Sequence, residues 1–250
     1  MSLLPGPRQL LFRLGVFIGL QITSLAAAAA GHSYRPALVG NGPKSLVNLI
    51  DSQELIRKGQ QDGVVMFDVA IGDDAAGSVT WIWCHAGPGS DVLKREVMKE
   101  LRHASFVPAM IDDKRVEVSF HGTVIFMVRN GRPYLRVFAN QDQEEIAKGG
   151  DYIQPQMLVD TEDWDGVQDM LAVVKYHARI GHAILSLTID AEGKMRDRRL
   201  VREEPTGLNI GAAALKAYAT AEFVPGFRNG KPVTCTFEEN WAVRGYRYRR

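Results

Sequence analysis

The sequence predicts an α+β protein built from two tandem β-β-α-β modules, each an antiparallel sheet with one helix packed on a face. Three observations carry this reading. Phe106-Val107-Pro108 recurs as Phe223-Val224-Pro225, 117 positions later, and the match continues without a gap: Lys114 falls on Lys231, Val116 on Val233, Phe120 on Phe237. Such a fixed period marks a duplicated structural unit. Each copy opens with an alternating apolar run behind a glycine, residues 64–71 after Gly63 and 183–189 after Gly181, the period of a half-buried strand. Each copy then carries one stretch at helical spacing that stops before the Phe-Val-Pro triplet, because proline cannot continue a helix.

The elements follow in order. Arg8 and Arg13 precede an apolar run over 14–25 and the alanines at 26–30, the layout of a signal peptide over 1–30 cleaved near 28–31. An uncleaved inner-membrane anchor is the alternative, since 14–30 is at the short edge of a spanning length. The chain is therefore expected to be periplasmic or secreted. Residues 44–58 read as a helix through Leu46, Leu49, Ile50 and Leu55.

Module one, residues 43–139, has strands at 64–71 and 78–85 joined by a turn ending at Gly77, then the loop Gly87-Pro88-Gly89. Its helix has Ser90 or Asp91 as N-cap and an apolar stripe of Leu93, Val97, Met98 and Leu101. The turn Asp112-Asp113 leads into a long strand, 116–128. Asn130-Gly131 makes a hairpin, with Pro133 placing the return strand at an edge. Residues 140–153 are polar, contain Gly149-Gly150, and read as a linker.

Module two, residues 154–243, repeats the plan. Strands 183–189 and 194–201 flank the turn Asp190-Ala191-Glu192-Gly193. A helix follows through Ile210, Ala214, Leu215 and Tyr218, then Asn229-Gly230 and a last strand at 233–243. A further helix is expected at 165–175. Residues 244–250 form a basic tail.

Module two resembles the TonB C-terminal domain over about residues 175–243. The resemblance rests on Gly181, the Asp190–Gly193 turn, Thr206-Gly207, Ile210 with Ala214-Leu215, Phe223-Val224-Pro225, and Asn229-Gly230-Lys231-Pro232-Val233. Module one matches through Gly63, Gly77, Leu93, Val97-Met98, Leu101, Phe106, Pro108, Lys114 and Val116. The tyrosine-proline element such domains often carry before the first strand is expected to be missing.

The resemblance implies a non-enzymatic adaptor that captures a protein or an extended peptide by strand addition to a sheet edge, where unpaired main-chain groups await a partner. The partner would be an envelope protein, with an outer-membrane receptor or a second copy of the chain as further candidates. The expected edge is Val233, Thr234, Cys235, Thr236 and Phe237, with Val116, Val118 and Phe120 in the matching strand of module one. The alternative is that these two strands pair with each other. A genuine energy transducer would need an uncleaved anchor and a Pro-rich spacer; the chain has no Pro-rich tract. A structural or dimerising envelope protein is the remaining reading.

The rest of the sequence gives catalysis no support. The chain has 250 residues and a formal net charge of +1, so no global field attracts nucleic acid, and no nucleic-acid partner is expected. His32, His85, His103, His121, His177 and His182 form no H-E-x-x-H, and no C-x-x-C, G-x-S-x-G or phosphate loop occurs. No cofactor or metal is expected. Cys84 and Cys235 read as small buried hydrophobes, with a bridge between the modules as the alternative.

Overall fold

The computed structural model describes residues 31–163 and 180–244, and the protein is α+β with antiparallel sheets. The expected signal peptide at 1–30, the helix expected at 165–175 and nearly all of the basic tail lie outside the described residues.

The first half runs β1 (Tyr34–Arg35), α1 (Leu46–Leu49), α2 (Ser52–Arg57), β2 (Gly63–Ile71), β3 (Val79–Ala86), α3 (Asp91–Leu101), β4 (Ala109–Ile111), β5 (Lys114–Val116), β6 (Val118–Arg129), β7 (Arg132–Phe138) and α4 (Gln143–Lys148). The second runs β8 (Gln156–Met157), β9 (Ile180–Ile189), β10 (Met195–Glu204), α5 (Ile210–Ala217), β11 (Phe223–Val224), β12 (Gly226–Arg228), β13 (Lys231–Val233) and β14 (Cys235–Arg244). The two main sheets have the orders β3-β2-β6-β7 and β10-β9-β14. The first strand of each half's hairpin therefore sits between the second and the long last strand.

Burial follows the periods in the sequence. Val65, Phe67, Val69 and Ile71 of β2 are fully buried, as are Leu93, Val97 and Leu101 of α3. The second core gathers Ala183, Leu185, Leu187 and Ile189 of β9 against Ile210, Ala213, Ala214 and Ala217 of α5. The repeated phenylalanines meet edge to face in both halves: Phe106 on Phe120 at 5.4 Å, Phe223 on Phe237 at 6.3 Å between ring centres. Each such pair adds about 0.5–1.5 kcal/mol to the burial of its rings.

The first turns of the two halves share one construction. Asp74 Oδ1 accepts from the main-chain N–H of Ala76 and Ser78; Asp190 Oδ1 accepts from Glu192 and Lys194. Gly77 (φ +56°) and Gly193 (φ +74°) close these turns, and a Cβ on either would collide with the carbonyl oxygen of Phe106 or Phe223. The turn glycine thus seats the Phe-Val-Pro segment, linking two motifs far apart in sequence.

The structure departs from the sequence reading in five places, the first being that 44–58 forms two short helices, α1 and α2, because Asp51 caps a new start. Ser90 stands at the N-cap of α3, but its hydroxyl accepts from Val64 N–H instead. The cap comes from buried Gln60, whose Oε1 accepts from Leu93 N–H at 2.8 Å. At α5 the same service comes from Glu203, which accepts from the N–H groups of Leu208, Asn209 and Gly211.

The long last strands break at Glu117 and Thr234. Before the break, β4-β5 and β12-β13 form separate two-residue hairpins, with both turn residues at positive φ. Asp112-Asp113 and Asn229-Gly230 are therefore hairpin tips rather than simple lead-ins.

Residues 140–153 are not a solvated tether. Residues Gln143–Lys148 form α4, N-capped by Asp142, and Asn140, Tyr152 and Gln154 are buried. Asn140 donates to Tyr152 C=O and accepts at its own carbonyl from Thr123 Oγ1. Polar side chains spent on main-chain groups look like solvent-facing ones in a sequence.

Finally, the repeat begins before Gly63 and Gly181. Tyr34, Arg35 and Leu38 pair with Ile111, Met110 and Val107; Ile153, Gln156 and Met157 pair with Phe227, Val224 and Phe223. In each half a tyrosine and a proline accompany this short strand, Tyr34 in β1 with Pro36 just after it, and Tyr152 and Pro155 just ahead of β8.

Candidate functional site

The strand expected to form the binding edge divides between two elements. Val233 belongs to β13, Thr234 is the break, and Cys235, Thr236 and Phe237 open β14. β14 pairs antiparallel with β9 from Cys235↔Ile189 to Arg244↔Ile180. Among the described residues no strand pairs with its other side. Phe237 points into the core, and Thr236 Oγ1 hydrogen-bonds Thr188 Oγ1 at 2.8 Å. Cys235 is a free thiol whose pKa burial pushes up. Apart from exposed Thr234 and Thr236, this stretch offers a ligand main chain rather than side chains.

The matching residues of module one are placed differently. Val116 lies in β5; Val118 and Phe120 lie in β6, fully buried and paired with Ile71 and Val69 of β2. β7 covers the other side of β6 from Thr123 onward. At its start, Val118 bridges Leu158, and Val159 N–H donates to Glu117 C=O at 3.1 Å. The chain itself occupies the position a ligand strand would take, so Val116, Val118 and Phe120 do not offer a free edge. The last strands of the two halves do not pair with each other.

A shallow groove of about 560 Å³ runs beside β14. Ser186, Arg199, Thr236 and Glu238 of the second sheet form one side, and Met66 and Gln141 belong to the other. It follows the outer face of the sheet at the junction of the two halves.

The same junction buries a charged cluster that the spacing of histidines in the sequence does not reveal. His121 on β6 holds Asp68 of β2 through Nδ1 at 2.7 Å and reaches Glu239 of β14 through Nε2 at 3.3 Å. Gln141 Nε2 donates to the same Asp68 oxygen at 2.6 Å. Burial alone would lower the imidazole pKa, but the carboxylates of Glu239 and Asp68 outweigh it and lift it to about 9. Burial raises the Glu239 carboxyl, opposed by His121. Burial also holds the hydroxyl of Tyr218, which contacts Glu239, well above its ordinary value. The imidazolium thus pins the two halves together. Both its nitrogens are engaged by carboxylates, so neither can serve a nucleophile as base. The only signal for this pair in the sequence was strand register: His121 falls opposite Asp68, while Glu239 comes from the other copy.

Cys84 faces the first core, its thiol pushed up to about 12 by burial, far from a reactive thiolate. Among the described residues no helix is long and apolar enough to cross a membrane. No family model matches the chain, and no curated protein or solved structure is similar to it.

Proposed function

We propose that this chain is an exported, non-enzymatic adaptor of two TonB C-terminal-like modules that binds a protein or extended peptide by strand addition to the outer side of β14. The observation that carries the reading is the difference between the two halves. The start of β6 is already capped by Leu158 and Val159, whereas no described strand lies on that side of β14. An added strand would gain about 0.5–1.5 kcal/mol per main-chain hydrogen bond, so capture is weak unless the groove holds side chains as well. The partner is an envelope protein, an outer-membrane receptor among the candidates.

Calorimetric titration of the full chain with extended peptides from envelope proteins tests this. Binding lost in both Thr236→Lys and Asn240→Lys, which alter the exposed outer face of β14, is the expected result. Absence of binding across the set, or binding indifferent to both changes, would sink the reading. N-terminal determination on protein from its native cell tests export: loss of about the first 30 residues is expected, and an intact terminus would favour an anchored transducer instead.

A further inference from the structure

Four strands end the two main sheets, and they are not equally protected. Open strand edges recruit other strands unless charge, proline or bulges guard them. β10 reads Met-Arg-Asp-Arg-Arg-Leu-Val-Arg-Glu-Glu and contains two register breaks. β7 carries Pro133 between arginines at 132 and 136. β14 carries the exposed Glu238, while its Glu239 is turned inward onto His121. β3 occupies in the first half the place that β10 takes in the second, and it reads Val-Thr-Trp-Ile-Trp-Cys-His-Ala. It has no Asp, Glu, Lys, Arg, Pro or Gly, and its one register break falls at its start, next to Val79.

Among the described residues no strand pairs with the other side of β3, and that side is chemically ready. Gly87 N–H donates to Val64 C=O, so by the alternation of an antiparallel ladder Trp81, Trp83 and His85 turn their main-chain groups toward β2. Ile82, Cys84 and Ala86 then direct theirs outward. On the outer face Trp81 is 54% exposed, and the Trp83 ring stacks on His85 at 5.9 Å and 14°.

We propose that β3 is a self-association edge and that its occupant is β3 of a second copy of this chain. An antiparallel pairing centred on Ile82 lets the two Ile82 residues exchange both main-chain hydrogen bonds. It places Trp81 of each copy across from Trp83 of the other in a narrow, non-hydrogen-bonded pair, where side chains approach most closely. The two four-stranded sheets become one continuous sheet about a twofold axis. A charged peptide finds no complement on β3, so the strand that fits is uncharged, aromatic and β-branched, and β3 itself meets that description. One short strand and two pairs of indoles make a small interface, so the dimer is weak and concentration-dependent. This inference uses neither β14 nor its ligand.

Sedimentation of the full chain over a concentration series tests it. The average mass should rise from 27.7 kDa toward twice that value. Trp81→Lys, at an exposed position, should weaken association about tenfold or more by removing both aromatic pairs and bringing two cations to the interface. His85→Lys on the same strand should act in the same direction, and Val201→Lys on β10 should leave association unchanged. A chain that stays monomeric throughout, or association that ignores both β3 changes, overturns the proposal. So does capture of an uncharged extended peptide on β3 without self-association, which would give the edge to a different partner.

Discussion

The junction between the halves makes stability depend on the proton held by His121. The imidazole titrates at 6.5 in an unfolded chain and at about 9 here. A group whose folded pKa is raised contributes its full stability below the unfolded value and loses it as pH climbs through the folded one. The window is therefore pH 6.5 to about 9. At about 1.36 kcal/mol per pH unit, the contribution is of the order of 3 kcal/mol, most of it gone by pH 9. Glu239 is also raised, so its loss has the same sign but sets in from its unfolded value of 4.5 upward. Buried Cys84 and Cys235 add losses only above the ordinary thiol value of 9, so the scan should end there. Urea midpoints of the full chain and of His121→Gln, measured from pH 6 to 9, are the assay. The wild type should lose about 2–3 kcal/mol more than the variant across that range. The comparison is of slopes, so an overall weakening by the substitution does not confuse it. Equal slopes would refute the claim that the imidazolium joins the halves.

Two further outcomes follow from local geometry. Gly77→Ala should cost about 1–2 kcal/mol for a left-handed residue and more for the collision with Phe106 C=O, whereas Gly131→Ala, at φ +72° with open space around it, should cost only the former, about 1–2 kcal/mol; thermal unfolding of both variants separates the terms. Gln60→Ala should cost about 1–3 kcal/mol by leaving Leu93 N–H without its acceptor, and Ser90→Ala should cost a similar amount by leaving Val64 N–H without one; urea midpoints of the two variants check both.

Elements governed by local chemistry were legible in the sequence. The alternation at 64–71 and 183–189 became β2 and β9, and the stripe Leu93, Val97, Leu101 became the buried face of α3. Asn130-Gly131 formed its hairpin because both residues tolerate positive φ. What escaped depends on long-range partners. Ser90 has the right chemistry for a cap, but Val64 N–H competes for its hydroxyl and Gln60 arrives from 33 residues away. Residues 140–153 have a linker's composition, yet Asn140 and Gln154 spend their amides on main-chain groups inside the junction. The breaks at Glu117 and Thr234 carry no turn residue, since the chain only changes sheets there.

The duplicated motifs explain why two copies of one plan present different surfaces. Phe106 with Phe120 and Phe223 with Phe237 build matching cores, and the matching turns at Asp74 and Asp190 seat the same triplet. Those positions are constrained by contacts within each half. The strand edges are not, and there the halves diverge. Module one gains β7 and is covered at the start of β6 by Leu158, while module two ends its sheet at β14. Conversely, module two loads its second strand with arginines and acids, while module one leaves Trp81 exposed on an uncharged β3. Each half thus guards the edge that the other leaves open. A duplication that only thickened the fold would gain nothing from this alternation. The unlike edges belong to one body, because His121 on β6 joins Asp68 of its own sheet to Glu239 of β14.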